Sequence, residues 1–309
     1  MPNWKEILEE VKAAGSPYDG IRRKYLKNLS EITGRNVIVY YSGWLQKPQI
    51  ASKGMDFGIN DGDKESFMSV IHGLDRSKGL DLLLHTPGGD TAATESIVDY
   101  LRSMFGTDIR AIVPQISMSA GTMIALSCKE IIMGKHSSLG PIDPQINGIP
   151  AHGIIEEFTR AGIEIAAAPI KVHLWQPIIA KYHPTLIGEC EKAITWSQEM
   201  VKDWLISGMF LGNDDASTKA NKIVEDLTDH ALTKSHARHI SARQAKDELK
   251  INVSYLEAND DLQDAVLSVH HACIQTLTDT PAFKIVENHN GIASIQSANA
   301  VIAVQGVQR

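Results

Sequence analysis

The sequence has few cysteines and no long apolar run, and these absences exclude several classes of protein. Its 309 residues include three cysteines, Cys128, Cys190 and Cys273, which are scattered and form no CxxC pair. They predict neither a disulfide framework nor a cysteine metal site, and a reducing compartment is the default. No stretch approaches the ~18 apolar residues of a membrane-spanning helix. The charged N-terminus also lacks the apolar core of a signal peptide. We therefore expect a cytoplasmic protein, with no indication of membrane association.

Basic patches and metal-ligand spacings are also missing. The formal net charge is −7 at pH 7, and this acidic balance argues against nucleic acid as a partner. The sequence contains no HExxH motif. His230, His236 and His239 have the residue type of metal ligands, but they lie on a polar loop without supporting cysteine or carboxylate spacing. We therefore expect no metal site and no cofactor.

The chain does contain an alternation of short apolar strands and helical stretches. Buried strands are predicted at four places, residues 37–41, 80–85, 109–113 and 130–133. Strand–helix alternation at such short intervals implies right-handed crossovers and a mostly parallel sheet covered by helices. After Pro150 the sequence is mainly helical, and the tail beyond Phe283 shows no strong period. The predicted fold class is therefore α/β, with a helical C-terminal part.

A proline and two glycines, Pro87-Gly88-Gly89, follow the strand that ends at His85. Two glycines permit backbone angles and close approaches that other residues forbid. They also leave bare N–H groups at the start of the next helix, where negative charge is stabilised. Such groups can stabilise the oxyanion of a carbonyl under attack, although a plain tight turn would use the same residues.

The stretch SMSAGT, residues 117–122, lies where the next strand gives way to a helix. Ser119 precedes Ala120 and Gly121, and its hydroxyl could have either of two roles. As the N-cap it would accept a hydrogen bond from the first turn of the helix. As a nucleophile it would have small neighbours that leave room for a substrate carbonyl, and its own N–H or that of Ala120 would face the same space. Ser117 is the weaker candidate because it still belongs to the strand exit.

Both turns follow strands of one parallel sheet, at the edge where α/β proteins build their sites. The segments TPGGD, MSAGTMIALS and MGKHSSLGPIDPQ, in this order, resemble the Clp protease/crotonase superfold. They are most similar to the signal peptide peptidase A group and, within it, to the soluble serine dehydrogenase proteinase (SDH) family. The resemblance runs from about residue 37 to residue 249. It implies N-terminal helices (1–35), a Clp/crotonase-like peptidase domain (36–250), and a C-terminal helix and tail (251–309).

The resemblance also implies roles for the residues of both turns. Ser119 would be the nucleophile of a serine peptidase. Gly88 and Gly89 would border the oxyanion hole, together with Ala120 after the nucleophile. No cofactor takes part in such a reaction.

A nucleophilic serine needs a base. Signal peptide peptidase relatives use a lysine, and the matching residue is Lys171, which follows an apolar run at residues 166–170. A lysine acts as a base only when it is neutral, and we expect this run to provide the necessary desolvation. Lys181, Lys192 and His136 are the alternatives. The histidine lies near the place where Clp peptidases carry theirs.

The segment from Ser137 to Gln145 combines proline, glycine and polar residues, which is typical of a rigid turn. In relatives the equivalent loop flanks the nucleophile, and a polar residue there can orient the base. Ser138 and Asp143 are the predicted partners of the base. His136, where it is not the base itself, would hold one of them.

Three functions are consistent with these residues. The first is a soluble serine endopeptidase that cleaves peptide or protein substrates through an acyl-enzyme, with a Ser119–Lys171 dyad. The second is a crotonase-type enzyme acting on acyl-CoA thioesters, although crotonases generally use carboxylates where Ser119 stands. The third is a catalytically inactive scaffold or adaptor of the same fold. Peptidases of this superfold usually hide their serines inside rings, so we expect a homo-oligomer, with contacts along the helix predicted at residues 185–209.

Overall fold

The structure is a computed structural model that describes residues 7, 9–10, 18–51, 54–228 and 235–298 of the chain. Of the predicted N-terminal helices, it describes the second. The first falls almost entirely outside the described residues, as does His230 of the histidine-rich loop.

Strands and helices alternate through the first half of the chain, as the sequence predicts. The elements in order are α1 (Tyr18–Thr33), β1 (Asn36–Ser42), α2 (Pro48–Ala51), α3 (Asp61–Ile71), β2 (Leu80–His85), α4 (Thr91–Phe105), β3 (Ile109–Val113), β4 (Ile116–Ser117), α5 (Ala120–Leu126), β5 (Glu130–Met133) and β6 (Ser138–Leu139).

The second half opens with a short hairpin, is then helical, and ends in further strands. Its elements are β7 (Gln145–Ile146), β8 (Ile149–Pro150), α6 (Ala151–Ala167), α7 (Val172–Ile179), α8 (Leu186–Ser207), α9 (Ala216–Thr228), β9 (Ile240–Ser241), β10 (Val253–Tyr255), α10 (Asp260–Asp279), β11 (Ala282–Asn288) and β12 (Ala293–Ser297).

Seven strands form the central sheet, in the order β10-β5-β3-β2-β1-β11-β12. The five strands from β10 to β1 are mutually parallel, whereas β11 and β12 are added antiparallel at one side. This confirms the predicted α/β class with a mostly parallel sheet. Because the parallel strands end at one edge, the turn after β2 lies there beside the segment that continues from β3 through the short strand β4.

The C-terminal segment completes this sheet, whereas the sequence suggested a helix and a loose tail. Strand β10 pairs with β5 at one side of the sheet, and β11 pairs with β1 toward the other side. Every residue of β11 is buried, including Lys284, Glu287 and Asn288. These polar residues break the apolar pattern from which a buried strand is predicted, and each is held by a polar partner elsewhere in the fold.

Helices cover both faces of the sheet. On one face α3, α4, α5, α8 and α9 enclose the larger core, which includes Phe67, Ile97 and Trp204. On the other face α1 and α10 pack against Val39, Leu83 and the remaining inward residues of the strands. A separate small core joins α6 to the start of α8 and makes a helical lobe, residues 151–190, beside the C-terminal edge of the sheet.

Candidate active site

Backbone hydrogen bonds bring the two turns together. The Thr86 N–H donates to the Ile116 oxygen (3.2 Å), and the Met118 N–H donates to the Thr86 oxygen (3.0 Å). This bridge carries Gly88 so close to the nucleophile candidate that a Cβ at Gly88 would lie 2.6 Å from the Cβ of Ser119. The backbone of Gly88, at φ 102°, is also one that residues with side chains rarely adopt. Glycine is therefore needed at position 88 both for the backbone conformation of the turn and for its close contact with Ser119.

Ser119 lies in a strained conformation at the entrance to α5. Its φ and ψ are 50° and −118°, a region that residues with a Cβ rarely occupy. Although it has the N-cap position, its side chain makes no capping hydrogen bond. The hydroxyl is thus not used to begin the helix. Strain of this kind persists where the surrounding structure enforces it, and a sharp strand-to-helix turn is how other hydrolases expose a serine nucleophile.

Ser117 is buried and belongs to β4. Its hydroxyl faces the start of α5, where a Cβ at Gly121 would lie 2.5 Å from the Ser117 Oγ. Gly121 therefore allows the helix to approach the strand. Of the two serines of SMSAGT, only Ser119 lines the cleft at this edge of the sheet.

Two backbone N–H groups are available beside Ser119. Within the described residues, the N–H groups of Gly89 and Ala120 have no hydrogen-bond partner. The N–H of Gly88 differs, because it donates to Thr86 Oγ1 at 3.2 Å. Of the three residues expected to form an oxyanion hole, Gly89 and Ala120 thus have N–H groups that can bind an oxyanion. Gly88 instead allows the glycine turn to approach Ser119 closely.

Ser119 opens onto a cleft of about 460 Å³ at the C-terminal edge of the sheet. Its walls come from the glycine turn, the start of α5, the Asp143 loop, one side of α8 and the histidine-rich loop. The lining residues are Pro87, Gly89, Asp90, Thr91, Ala92, Ser119, Met123, Ile142, Asp143, Pro144, Gln145, Ile146, Ala193, Trp196 and His236.

A histidine and an aspartate are paired in this cleft. His236 Nδ1 lies 2.9 Å from Asp143 Oδ1, and the Asp143 side chain is fully buried. A carboxylate only accepts hydrogen bonds, so Nδ1 of a neutral His236 carries the proton and Nε2 is left as an acceptor. The other carboxylate oxygen, Oδ2, has no partner among the described residues. The pair therefore fixes both the tautomer and the direction of the His236 ring.

The structure does not bring Lys171 into the cleft. Its ammonium lies 3.3 Å from Glu164 Oε2, and its side chain is 45% exposed. The apolar run before it is itself largely exposed, with Ile170 at 74%. In this structure the neighbours of Lys171 therefore leave its side chain exposed to solvent. Lys181 and Lys192 are also exposed and do not line the cleft.

His136 and Ser138 also lie outside the cleft, whereas Asp143 is part of it. The His136 ring is exposed and packs against Gly134, whose added Cβ would meet the ring at 2.6 Å. Ser138 belongs to β6, between β4 and β9. From the sequence, His236 was a candidate only as a metal ligand. Its distant loop gives no local pattern that would pair it with Asp143.

His85 is near the site in sequence but not in the cleft. It ends β2 and packs on Trp44 and His270, with ring centroids 4.6 and 5.6 Å away. Burial lowers the pKa of His85 to about 3, and neither ring nitrogen has a hydrogen-bond partner in the described part of the chain. A histidine in this state is neutral at physiological pH and has no contact with Ser119.

A metal centre finds no support in the part of the chain that the structure describes. No three histidine, cysteine, aspartate or glutamate side chains there are grouped so that they could hold a metal ion. In the histidine-rich loop, His236 turns to Asp143, while His239 is exposed. Across the same residues, no helix is both long and apolar enough to cross a membrane.

The mostly parallel sheet with helices on both faces is the ClpP-like fold that the sequence predicts, and the glycine turn and Ser119 lie together at its C-terminal edge. Comparison with known families agrees, because residues 21–262 match the family of ClpP-like SDH-type serine proteinases. The match covers most of the chain. The protein therefore belongs to this family, and the predicted resemblance is confirmed.

Two curated relatives come from Methanocaldococcus jannaschii. The uncharacterized protein MJ1495 is 30% identical over 179 residues, which are 58% of this chain and 54% of the relative. The uncharacterized protein MJ0137 is 38% identical over 104 residues, 34% of this chain and 36% of the relative. The chain thus spans about half of the first relative's length and about a third of the second's.

Proposed function

We propose that the protein is a serine endopeptidase in which Ser119 is the nucleophile and His236, held by Asp143, is the general base. The observation that carries the proposal is the shared cleft. A strained serine without a capping role and a histidine paired with a buried carboxylate line the same space. Nucleophile, base and orienting carboxylate are the three parts of a Ser-His-Asp triad.

The proposed reaction begins with attack of Ser119 Oγ on a peptide carbonyl. His236 Nε2 takes the hydroxyl proton, and Asp143 stabilises the imidazolium that forms without accepting the proton itself. The N–H groups of Gly89 and Ala120 donate to the oxyanion of the tetrahedral intermediate. His236 then returns the proton to the leaving amine, and a water molecule hydrolyses the acyl-enzyme by the same steps.

Apolar side chains of the cleft support a peptide substrate. Met123, Ile142, Ile146 and Trp196 line it beside the backbone of the short strand β7. An extended peptide can place an apolar side chain among these residues while its backbone follows the strand. We therefore propose peptides with a large apolar residue before the cleaved bond as substrates.

The crotonase-type alternative needs a carboxylate that is free to act on the substrate. The two carboxylates that line the cleft, Asp143 and Asp90, are both engaged in hydrogen bonds within the protein. Asp143 is bonded to His236, and Asp90 caps α4 by accepting the Ala93 N–H at 2.7 Å. This favours acyl transfer through Ser119 over proton transfer by a carboxylate.

We further propose that the protein self-associates through the helical lobe. Ile163, Ile170 and Leu174 are each more than half exposed on α6, α7 and their connection. Arg160 and Glu164 lie among them with opposite charges, a mixture that suits another protein surface better than a lipid surface of one charge. We propose that a second copy of this chain binds this apolar surface. Ile170→Asp should lower the mass measured by sedimentation. Leu211→Asp, which replaces another apolar residue that is more than half exposed, should not. A monomeric wild-type protein would contradict this proposal.

The choice of base is tested by replacing His236 and Lys171 separately. His236→Gly should abolish cleavage of fluorogenic peptides that carry an apolar residue before the cleaved bond. Added imidazole should then restore part of the activity, because a free base can enter the open cleft. Lys171→Met should remain active, since Lys171 contacts Glu164 and not the cleft. Loss of activity in Lys171→Met, with His236→Gly active, would establish the lysine dyad instead.

A further inference from the structure

A buried ion pair lies behind the glycine turn. Lys284 on β11 and Asp63 in the first turn of α3 are at most 1% exposed, and their Nζ and Oδ2 atoms are 3.0 Å apart. Such a pair adds little net stability, because desolvation of the two charges offsets their attraction. Its further contacts include the backbone on both sides of Ile59, and these indicate a different role.

Lys284 and Asp63 both bind the backbone of one short segment. The Lys284 ammonium donates to the Gly58 oxygen at 2.7 Å. Asp63 Oδ2 accepts from the Asn60 N–H at 3.0 Å and from the Tyr40 hydroxyl at 2.8 Å. Burial, and then the adjacent Asp63 carboxylate, raise the pKa of Tyr40 well above its usual value, so Tyr40 remains a donor. The residues on both sides of Ile59 are thus fixed by buried charged groups.

Ile59 in turn holds the glycine turn. Its N–H donates to the Gly88 oxygen at 2.8 Å, and its oxygen accepts from the Asp90 N–H at 2.8 Å. Because these bonds engage the residues on either side of Gly89, the Gly89 N–H points away from Ile59, as in a parallel strand pair. The backbones of Ile59 and Gly89 lie so close together that residue 89 has no room for a side chain, since a Cβ at Gly89 would lie 2.1 Å from the Ile59 nitrogen.

We propose that Lys284 and Asp63 are positioning residues, which act through Ile59 to aim the Gly89 N–H at the oxyanion. The inference rests on the proposed function, because that function gives Gly89 an oxyanion to bind. Neither residue is among those that line the cleft. Their effect on catalysis would pass through the backbone of a single residue.

Lys284→Met tests the proposal, because methionine keeps much of the side-chain volume and removes the donor to Gly58. With assays well below the melting temperature, kcat should fall about 10- to 100-fold at nearly constant KM, as for a displaced oxyanion donor. The inhibition constant of a peptide aldehyde, whose adduct carries an oxyanion, should rise by a similar factor. Amide hydrogen exchange should become faster in the peptide that covers residues 86–91.

The matched control is Arg22→Met. Arg22 makes an ion pair with Glu287 on the same strand β11, and both side chains are fully buried. Its loss should lower the melting temperature but leave kcat, aldehyde affinity and exchange at residues 86–91 unchanged. Where Lys284→Met does not fold, Asp63→Asn serves as the second variant, with the same expectations.

The outcomes separate this proposal from the proposed function. An active wild-type protein whose Lys284→Met variant keeps its kcat, aldehyde affinity and exchange rates would overturn the positioning role alone. Equal changes in Lys284→Met and Arg22→Met, or failure of both Lys284→Met and Asp63→Asn to fold, would also overturn it. An inactive wild-type protein would overturn the proposed function, and hydrogen exchange would still show whether the ion pair holds the turn.

Discussion

Replacing Asp143 by asparagine changes one atom of the proposed site and should remove nearly all activity. The carboxylate fixes the proton of His236 on Nδ1 across a distance of 2.9 Å. An amide can donate its own N–H to Nδ1, which moves the ring proton to Nε2 and leaves the proposed base without an acceptor nitrogen. The same replacement in serine peptidases with a histidine–aspartate pair lowers kcat about 10⁴-fold. That factor corresponds to about 5 kcal/mol of lost transition-state stabilisation.

Stability should change little, which separates this effect from unfolding. Asp143 is buried, and its Oδ2 has no partner among the described residues. An uncharged amide of the same shape avoids the burial of a charge, so we expect the free energy of unfolding to stay within about 1 kcal/mol. Steady-state cleavage of a fluorogenic peptide and urea unfolding measure the two quantities.

Asp90→Asn is the matched control, because Asp90 lines the same cleft and caps α4. Asparagine caps a helix about as well as aspartate, and among the described residues the ion pair of His236 is with Asp143 and not with Asp90. This variant should retain most of its activity. An Asp143→Asn enzyme within about tenfold of wild type would refute the orienting role of Asp143, since the ring proton would then not depend on the carboxylate.

Three further predictions concern single residues. Ser119→Gly should abolish activity yet raise the free energy of unfolding by about 1 kcal/mol, because glycine relieves the backbone strain at φ 50°. An unchanged or lower free energy of unfolding would argue against strain at residue 119. Gly89→Ala should lower the free energy of unfolding by about 3 kcal/mol and abolish activity, since the alanine Cβ would collide with the Ile59 backbone. A stable, active variant would contradict the close contact between residue 89 and Ile59. Lowering the pH from 8 to 5 should reduce the free energy of unfolding by about 2 kcal/mol through His85, because the unfolded chain protonates this residue below about pH 6.5 and the folded chain only near pH 3. A His85→Phe variant with the same pH dependence would exclude this cause.

The sequence was sufficient to predict the parts of the site that depend on local backbone chemistry. Glycines after a buried strand and a serine before small residues indicate a tight approach of two turns, and the structure brings Gly88, Gly89 and Ser119 together. The parallel sheet was predictable for a similar reason, because its strands are short apolar runs separated by helical patterns.

The histidine could not be found in the same way. His236 reaches Asp143 from a distant loop, and only the folded chain shows which polar residues meet. For Lys171, apolar neighbours in sequence predict burial, whereas the structure leaves Ile170 and Leu174 exposed on the helical lobe. Strand β11 was missed because Lys284 and its polar neighbours interrupt the apolar pattern, and their partners lie far away in sequence.

Labelling with a fluorophosphonate, followed by peptide mapping, tests the central claim most directly. This reagent reacts with serines that are activated by a base and flanked by oxyanion donors. We expect a single adduct on Ser119, no adduct in Ser119→Ala, and strongly slowed labelling in His236→Gly but not in Lys171→Met. A folded wild-type protein that forms no adduct, or forms one on another serine while Ser119→Ala remains an active peptidase, would contradict the claim.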